Sequence, residues 1–323
     1  MFIGCHQIII KMNEAGRSKT PFLFAVNFEM NEGFFIENPL KQSRILFNIN
    51  GITNAKNVPE TPKSYIFKRY PESFETYEKR FYCAMDALHK EETFLLNLTI
   101  KTPIETSLSL QEIFNYSSAK YRLYVPEKFV CFSPEQFVII KYGKIFMHPM
   151  KGTIDATLPN AAERLLSDYK ETAEHQTITE LTLNDLKQVA TSVKVTRSRY
   201  IDKLKTNNGY MLQTSSEIEG TLPTNYMQNL GILFFKLLPA GSILGTPRNA
   251  TLRVIRNCEN QNRGFYSGVA GYFDGENLDS GVLIRFIEEK NGKMYFRSGG
   301  GITVDSQCES EYNEAVQKVY LPF

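Results

Sequence analysis

Hydrophobic residues in the first half of the chain occur at alternating positions or in short unbroken runs with turn residues on either side. Both patterns are typical of β-strands, because successive side chains of a strand point to opposite faces of a sheet. This part of the chain is therefore expected to form mostly β-sheet. The predicted strands are Phe22–Phe28, Arg44–Ile49, Thr93–Ile100, Lys128–Phe132 and Phe137–Met147.

Other segments repeat apolar residues at intervals of three and four, which places those residues on one face of a helix. Residues 74–88 follow this pattern, with Pro71 near the first turn. The helical period returns between residues 160 and 189, where Asn160 is the predicted N-cap. A last helix is predicted for residues 309–319.

Strands are predicted again from Thr251 onward. Asn291-Gly292 is a strong signal for a two-residue hairpin turn, and it predicts paired strands at Ser280–Glu288 and Lys293–Arg297. Strands and helices thus come in runs rather than in strict alternation. This order favours an α+β fold with antiparallel sheet over a doubly wound fold.

Length and composition fit an ordinary globular protein with a sizeable core. The chain has 323 residues, of which 42% are hydrophobic and 22% charged. We see no linker-like segment, so a single domain over residues 1–323 is predicted. Residues 1–20 are expected to be an extension that is poorly ordered or not native, with Met12 as a candidate start.

Charge and cysteine content limit the expected binding partners and the expected cellular compartment. The 37 basic and 35 acidic residues give a formal net charge of +2, which points to neither nucleic acid nor a membrane surface as a partner. No apolar run approaches the roughly 18 residues needed to span a bilayer. Five cysteines without CxxC spacing indicate neither a disulfide framework nor a zinc site, so a reducing cytoplasm is expected.

The hexapeptide His148-Pro149-Met150-Lys151-Gly152-Thr153 places a lysine in a predicted turn between a strand and a helix. Turn lysines are commonly exposed, so the hexapeptide alone does not identify a catalytic residue. The segment Ser133-Pro134-Glu135 lies upstream in a strand connection, where its glutamate would ordinarily be an exposed carboxylate. The motifs gain meaning only together with the acidic and glycine-rich segments that follow.

Two acidic pairs with i, i+3 spacing occur in helix-like text, Glu171/Glu174 and Glu311/Glu314. Residues at this spacing share a helix face, and such a face is usually solvated. Two pairs that face each other across a cleft would instead form a site for a hard cation, which prefers carboxylate oxygens. Mg²⁺ is the natural occupant of such a site.

Taken in order, these motifs and the C-terminal third resemble the chorismate-utilising enzymes, and most closely the short form of the aminodeoxychorismate synthases, component I. The resemblance runs from about Pro21 to Lys318. It implies a sandwich of two antiparallel β-sheets with helices outside and a site in the cleft between the sheets. The later segments that carry it are GSILGTPRNAT, RGFYSGVAGYF, SGVLIRF and YFRSGGGITVDSQCESEYNEAVQK.

The resemblance implies a role for each acidic pair and for a set of substrate-binding residues. Glu174 and Glu314 correspond to direct Mg²⁺ ligands, whereas Glu171 and Glu311 would act directly or through metal-bound water. The cation would bind the ring carboxylate of chorismate. The implied substrate-binding residues are Gly152, Thr153, Tyr266, Arg285, Gly299, Gly300, Gly301 and Lys318.

The resemblance also implies the chemistry. Lys151 would attack C2 of chorismate with loss of the C4 hydroxyl, Glu135 would supply the proton, and ammonia would then enter at C4. The product would be 4-amino-4-deoxychorismate, a precursor of p-aminobenzoate and folate. A neutral lysine requires a pKa well below its usual value of about 10.4, and we expect burial beside a cation to lower it.

No glutaminase-like cysteine arrangement is visible in the sequence, so ammonia is expected from solution or from a separate glutamine amidotransferase subunit. Two alternatives stay open. One is anthranilate synthase component I, which is disfavoured because those enzymes carry alanine at the position of Lys151. The other is a non-catalytic chorismate-binding partner of a glutaminase. Leu244, Arg248 and Gln213 depart from the family pattern, and Leu244 is expected to line the ring pocket.

Overall fold

The computed structural model describes residues 2–56, 64–206, 209–321 and 323. No helix within these ranges is both long and apolar enough to cross a bilayer. Short 3-10 turns cover Pro39–Lys41 and Tyr226–Asn229. The helices are α1 (Cys5–Ser18), α2 (Phe74–His89), α3 (Leu110–Tyr116), α4 (Ala161–Ser167), α5 (Tyr169–Lys187), α6 (Leu230–Phe235), α7 (Gly241–Leu244), α8 (Arg248–Glu259) and α9 (Cys308–Gln317).

The strands and helices follow one another in runs. In chain order the strands are β1 (Ile3–Gly4), β2 (Phe22–Val26), β3 (Glu32–Glu37), β4 (Leu46–Ile49), β5 (Ile52–Thr53), β6 (Phe67–Arg69), β7 (Leu95–Thr106), β8 (Tyr121–Val125), β9 (Phe129–Ser133), β10 (Gln136–Lys141), β11 (Lys144–Met147), β12 (Met150–Asp155), β13 (Thr191–Thr206), β14 (Gly209–Thr221), β15 (Gly245–Thr246), β16 (Val269–Phe273), β17 (Leu278–Val282), β18 (Phe286–Lys290) and β19 (Lys293–Ile302).

The strands form two sheets. The first has the order β1-β3-β2-β16-β17-β10-β11-β14-β12, and β13 pairs with β14. The second has the order β15-β7-β19-β18-β9-β8-β4-β5, and β6 pairs with β7. Neighbouring strands such as β2 and β16, or β7 and β19, run antiparallel. The predicted α+β class with antiparallel sheets is therefore confirmed.

Buried side chains of both sheets meet in one cluster, which makes the sheets a sandwich. Ala25 and Phe34 of the first sheet pack there with Phe47, Leu123 and Phe286 of the second. Burying an aromatic or aliphatic side chain of this size stabilises the fold by roughly 1.5–3 kcal/mol. Helices pack on both sheets, since α1 contacts β2 and β3 of the first sheet and α3 contacts β8 and β9 of the second.

The beginning of the chain is part of this core. Strand β1 pairs with β3, and α1 buries its apolar face, which includes Ile8 and Met12, in the cluster that also contains residues of α6. The expectation that residues 1–20 are poorly ordered is therefore wrong for residues 3–18. The buried face repeats apolar residues at helical spacing, so the helix continues beyond Met12 although the residues that follow are mostly polar.

Several elements differ from the prediction. The predicted strand 137–147 is two strands with Tyr142-Gly143 between them, and the return of strands at Thr251 is wrong because residues 248–259 form α8. The long hairpin of β13 and β14 had no predicted counterpart. Its text is rich in Thr, Lys and Arg, so it lacks the alternation that marks a half-buried strand. The hairpin at Asn291-Gly292 is confirmed, with φ values of 53° and 70°.

A disulfide joins Cys83 of α2 to Cys258 of α8, with a Cα–Cα distance of 5.6 Å. The sequence indicated no disulfide framework, so this is a correction. The two cysteines are 175 positions apart and share no local motif, and only the packing of the two helices brings them together. Cys5, Cys131 and Cys308 are free thiols.

Candidate active site

Arg285 stands where the chain crosses from one sheet to the other. Strand β17 ends at Val282 in the first sheet, and β18 begins at Phe286 in the second, so the single predicted strand 280–288 is wrong. Arg285 has a φ of 52°, a conformation that is unfavourable for a residue with a side chain. Its Nε donates to the Tyr320 hydroxyl at 3.3 Å. Strained residues of this kind cluster at functional sites.

Lys151 lies on strand β12 and not in a turn, as the sequence had indicated. Two residues of β12, Lys151 and Gly152, oppose the single residue Thr214 of β14, which is the arrangement of a β-bulge. Gly152 has a φ of 83°, which is the left-handed region that favours glycine. The bulge therefore sets the direction of the lysine. The flanking register pairs are Met150 with Ser215 and Thr153 with Gln213.

The ammonium of Lys151 is paired with a carboxylate of α5. Its Nζ lies 2.6 Å from Oε2 of Glu174. Burial alone would lower the pKa of Lys151, but hydrogen bonding and charge from Glu174, with further contributions from Glu171 and Glu314, outweigh it and raise the pKa. The lowered pKa expected from the sequence was that of a lysine buried beside a cation, whereas beside these acidic neighbours alone the pKa of Lys151 is raised.

Gly300 lets the charged groups of α9 approach the second sheet. A Cβ added there would lie 3.3 Å from Oε2 of Glu311, 3.8 Å from Oε1 of Glu314 and 4.0 Å from Nζ of Lys318. Nζ of Lys318 is also 2.6 Å from Oε1 of Glu314 and donates to the Gly299 carbonyl at 2.9 Å. The glycine run is thus a regular part of β19, and its missing side chains leave room for these groups.

The acidic pairs of α5 and α9 border one region, since the charge of Lys151 acts on residues of both helices. Burial raises the pKa of Glu311, and the nearby charge of Glu314 adds to this effect. Carboxylates held close to one another have the donor chemistry of a hard-cation site. Within the described ranges, however, no three acidic, His or Cys side chains are placed to share one ion. The donor set fits Mg²⁺ chemically, while its geometry is that of two lysine–glutamate pairs.

Glu135 lies in the connection between β9 and β10 and accepts a hydrogen bond of 2.6 Å from Ser242 Oγ. Burial raises the pKa of this carboxyl and outweighs the opposing effects of Ser242, Arg285 and Lys318. A raised pKa suits a residue that must donate a proton near neutral pH. Ser242 was missed from the sequence, although it lies in the GSILGTPR segment; a small hydroxyl residue there was the available signal.

Two cations link the acid to the carboxylate region. The charges of Arg285 and Lys318 act on both Glu135 and Glu314, and Lys151 acts on Glu314 as well. The predicted acid, the predicted nucleophile and the acidic helices therefore belong to one electrostatic site. It is formed by the sheet crossing, the β12 bulge, α5 and α9.

Tyr266 is more deeply buried than its predicted contact with substrate requires, with 3% of its surface exposed. Its ring lies 5.5 Å from the guanidinium carbon of the buried Arg297 and packs on Phe286. Burial raises the pKa of its hydroxyl. In this arrangement Tyr266 supports the site from behind.

Three further residues singled out from the sequence differ in their exposure to solvent. Thr153 is exposed on β12, beside Gln213 of β14. Gly301 is exposed near the end of β19, and a Cβ there would lie 3.5 Å from Leu95 Cδ1. Leu244 is wholly buried in the hydrophobic core, so the expectation that it lines the ring pocket is wrong.

Comparisons with known proteins define the class. The family model described as chorismate binding enzyme matches residues 31–322, and the chain belongs to this family. It is 45% identical to an uncharacterised PabA-like protein of Pasteurella multocida over 99% of both chains. It is also 45% identical to an uncharacterised PabA-like protein of Haemophilus influenzae, over 97% of this chain and 96% of that protein.

More distant relatives have named activities. The chain is 26% identical to aminodeoxychorismate synthase component 1 of Bacillus subtilis, over 85% of this chain and 60% of that protein. The crystal structure of anthranilate synthase component I from Streptococcus pneumoniae superposes with a TM-score of 0.67 and 26% identity, over 78% of this chain and 58% of that one. A putative isochorismate synthase of Bacillus anthracis, at 18% identity, shares the fold with a TM-score of 0.72 over 99% and 89% of the two chains.

Proposed function

We propose that this protein is an aminodeoxychorismate synthase component I, which converts chorismate and ammonia to 4-amino-4-deoxychorismate. The observation that carries the proposal is Lys151, an amine aimed by a β-bulge into a region bordered by acidic pairs of two helices. The Bacillus subtilis relative bears this activity in its name. The product would serve p-aminobenzoate and folate synthesis.

In the first step the neutral amine of Lys151 forms a bond to C2 of chorismate. The ring double bonds shift, the C4–oxygen bond breaks, and the hydroxyl leaves as water with the proton of Glu135. Hydroxide is a poor leaving group, so this proton transfer is essential. The hydrogen bond from Ser242 orients the Glu135 carboxyl for it.

In the second step ammonia forms a bond to C4. The double bonds shift back, the bond between C2 and the Lys151 nitrogen breaks, and the free enzyme returns. The ionised Glu135 takes a proton from the incoming ammonium. Ammonia would come from a separate glutamine amidotransferase subunit, and the PabA-like names of the relatives support such a partner.

Mg²⁺ would be held by Glu174 and Glu314, with Glu171 and Glu311 binding directly or through water. When bound, it would hold the ring carboxylate of the substrate and offset its charge. Within the chain, the ion pair between Lys151 and Glu174 would break when this site is filled. An amine that loses its carboxylate partner but stays buried is more readily neutral.

The second carboxylate of chorismate would be bound by the backbone of Gly299, Gly300 and Gly301, with Arg285 and Lys318 as cationic partners. Arginine can bind a planar carboxylate with two hydrogen bonds. Lys318 already lies 2.9 Å from the Gly299 carbonyl, at the edge of this site. Gly152 and Thr153 would complete the contacts, and Tyr266 would support them from behind.

Anthranilate synthesis is the second candidate, because the Streptococcus pneumoniae neighbour is an anthranilate synthase component. That reaction places the amine at C2, the carbon that Lys151 would occupy. Isochorismate chemistry is disfavoured, because the family resemblance matches the apolar Leu95 to the position at which those enzymes carry a water-activating lysine. A non-catalytic partner of a glutaminase would need neither Lys151 nor Glu135.

The test is product analysis. The purified chain is incubated with chorismate, Mg²⁺ and an ammonium salt, and products are identified by mass spectrometry, with Lys151→Ala as the comparison. Aminodeoxychorismate from the wild type and its loss in the variant support the proposal. Anthranilate as the wild-type product would favour the second candidate. No aminated product, even with a glutaminase partner added, would favour the binding subunit.

A further inference from the structure

The Lys151 backbone is held by a side chain of the neighbouring strand. At the bulge, Lys151 and Gly152 depart from regular pairing, and the Lys151 carbonyl accepts a hydrogen bond from the hydroxyl of Thr214. Thr214 is completely buried. A buried carbonyl without a partner is unfavourable, so this hydroxyl stabilises the bulge conformation.

Thr214 is one member of a buried relay that continues to α5. Its Oγ1 lies 3.5 Å from Nδ1 of His175, and Nε2 of His175 lies 2.7 Å from Oγ of Ser216. The backbone N–H of Arg199 donates to the same Ser216 oxygen at 3.0 Å. His175 and Ser216 are at most 1% exposed. We define this relay as the residues Arg199, Ser216, His175, Thr214 and Lys151.

The direction of the hydrogen bonds in the relay follows from its Lys151 end. The Lys151 carbonyl can only accept, so Thr214 donates to it and the Thr214 oxygen accepts from Nδ1–H of His175. In this neutral tautomer Nε2 of His175 is an acceptor, so the Ser216 hydroxyl donates to it while its oxygen accepts from the Arg199 N–H. The Arg199 end is compatible with this tautomer, which has the proton on Nδ1. The relay is therefore internally consistent.

Consecutive residues of α5 thus hold Lys151 at two points. Glu174 pairs with the side-chain ammonium at 2.6 Å, and His175 acts on the backbone of Lys151 both directly, through a hydrogen bond, and through Thr214. The side-chain contact must be released for Lys151 to react, whereas the backbone contact can persist. The relay is suited to keep the lysine aimed while its amine changes partners.

We propose that His175 and Thr214 are positioning residues that lock the β12 bulge and so aim Lys151 at the substrate carbon. This role rests on the proposed function for its effect on turnover, but the locking itself is independent of it. Misplacing a reacting group by about 1 Å lowers the rate by on the order of 10²-fold. In this role the buried imidazole of His175 acts through the backbone of Lys151 and does not touch the substrate.

Thr214→Val tests the proposal, because valine keeps the shape of threonine and removes the hydroxyl. We expect kcat to fall by roughly 10- to 100-fold, with the KM for chorismate within about twofold. Thr214→Ser restores the hydroxyl and is expected to recover most of the rate. His175→Phe combined with Thr214→Val should cost less than the sum of the two single variants, since both act on the Lys151 backbone.

A matched control removes a different buried hydroxyl. Thr182 lies on α5, is 5% exposed and donates to the Ile178 carbonyl at 2.7 Å, outside the relay. Thr182→Val should leave kcat unchanged while altering stability by an amount similar to Thr214→Val. A loss of rate that follows stability in both variants would overturn the positioning role.

Amide hydrogen exchange of residues 150–155 separates this proposal from the proposed function. If the relay locks the bulge, exchange is faster in Thr214→Val than in Thr214→Ser, whether or not the wild type aminates chorismate. Equal exchange in the two variants would overturn the locking. Faster exchange with an unchanged kcat would overturn the positioning role, whereas failure of the proposed function alone would appear as an inactive wild type with the exchange difference intact.

Discussion

Nζ of Lys151 lies 2.6 Å from Oε2 of Glu174, so the proposed nucleophile forms an ion pair with a proposed metal ligand. The pair keeps Lys151 in its charged form, since the acidic neighbours raise its pKa. Nucleophilic attack requires the neutral amine. Filling of the acidic site and release of the lysine are therefore expected to be coupled.

Mg²⁺ binding should depend on this pair. Glu174→Gln removes a proposed ligand and is expected to abolish measurable Mg²⁺ binding by calorimetry, and with it turnover. Glu171→Gln, as the less direct ligand, should weaken binding by roughly 10- to 100-fold. Glu180→Gln, further along α5, serves as the control. Unchanged Mg²⁺ affinity in Glu174→Gln would contradict the metal site.

The pH dependence should report Glu135. Burial raises the pKa of this carboxyl, and the proton donor is its protonated form, so kcat/KM should fall as pH rises through that raised pKa. The Ser242 hydrogen bond favours the ionised form. Ser242→Ala should therefore move the falling limb to higher pH, and Ser242→Thr should leave it in place. A shift to lower pH in the alanine variant would contradict this account.

The raised pKa of Glu135 should also make the stability of the fold depend on pH. A carboxyl whose folded pKa lies above its unfolded pKa destabilises the fold once the pH exceeds these values, because the fold disfavours the charge. Glu135→Gln should therefore raise the melting temperature at pH 8, by a few degrees for about 1 kcal/mol. The gain should disappear below the unfolded pKa of about 4.3. Equal gains at both pH values would show that charge is not the cause.

The Cys83–Cys258 disulfide should contribute to stability by restricting the unfolded chain. Bonds that close long loops typically stabilise by about 2–4 kcal/mol, and this one joins residues 175 positions apart. The melting temperature of oxidised protein should fall by several degrees on reduction or in Cys83→Ala. Cys308→Ser removes a free thiol and is the control. No difference between oxidised and reduced protein would contradict this role.

Local signals in the sequence predicted the elements that local physics determines. Asn291-Gly292 predicted its hairpin because both residues readily adopt positive φ, and the apolar face of residues 74–88 predicted α2. The hairpin of β13 and β14 was not predictable in this way, because β13 is largely exposed and the buried positions of β14 include the polar residues Thr214, Ser215 and Ser216. Residues 5–18 form α1, and the buried face of this helix repeats apolar residues at helical spacing, as Ile8, Met12 and Ala15 show.

The site was predictable only as a set of residues, and its geometry was not. The resemblance singled out Lys151 and both acidic pairs, but the bulge at Gly152 arises from the register between β12 and β14, which no single segment specifies. Ser242 reaches Glu135 across 107 positions, a contact that only the fold creates. The pairing of Lys151 with Glu174, which raises the pKa of the lysine, was not predictable, because the sequence does not give the distance between β12 and α5.

The central claim is that Lys151 forms a covalent bond to the substrate. The most direct measurement is mass spectrometry of the protein after incubation with chorismate and Mg²⁺ in the absence of ammonia. The account predicts an adduct with the mass of chorismate less one water on the peptide that contains Lys151, discharged when an ammonium salt is added. Aminated product formed at the wild-type rate by Lys151→Ala, or turnover with no adduct on that peptide, would contradict it.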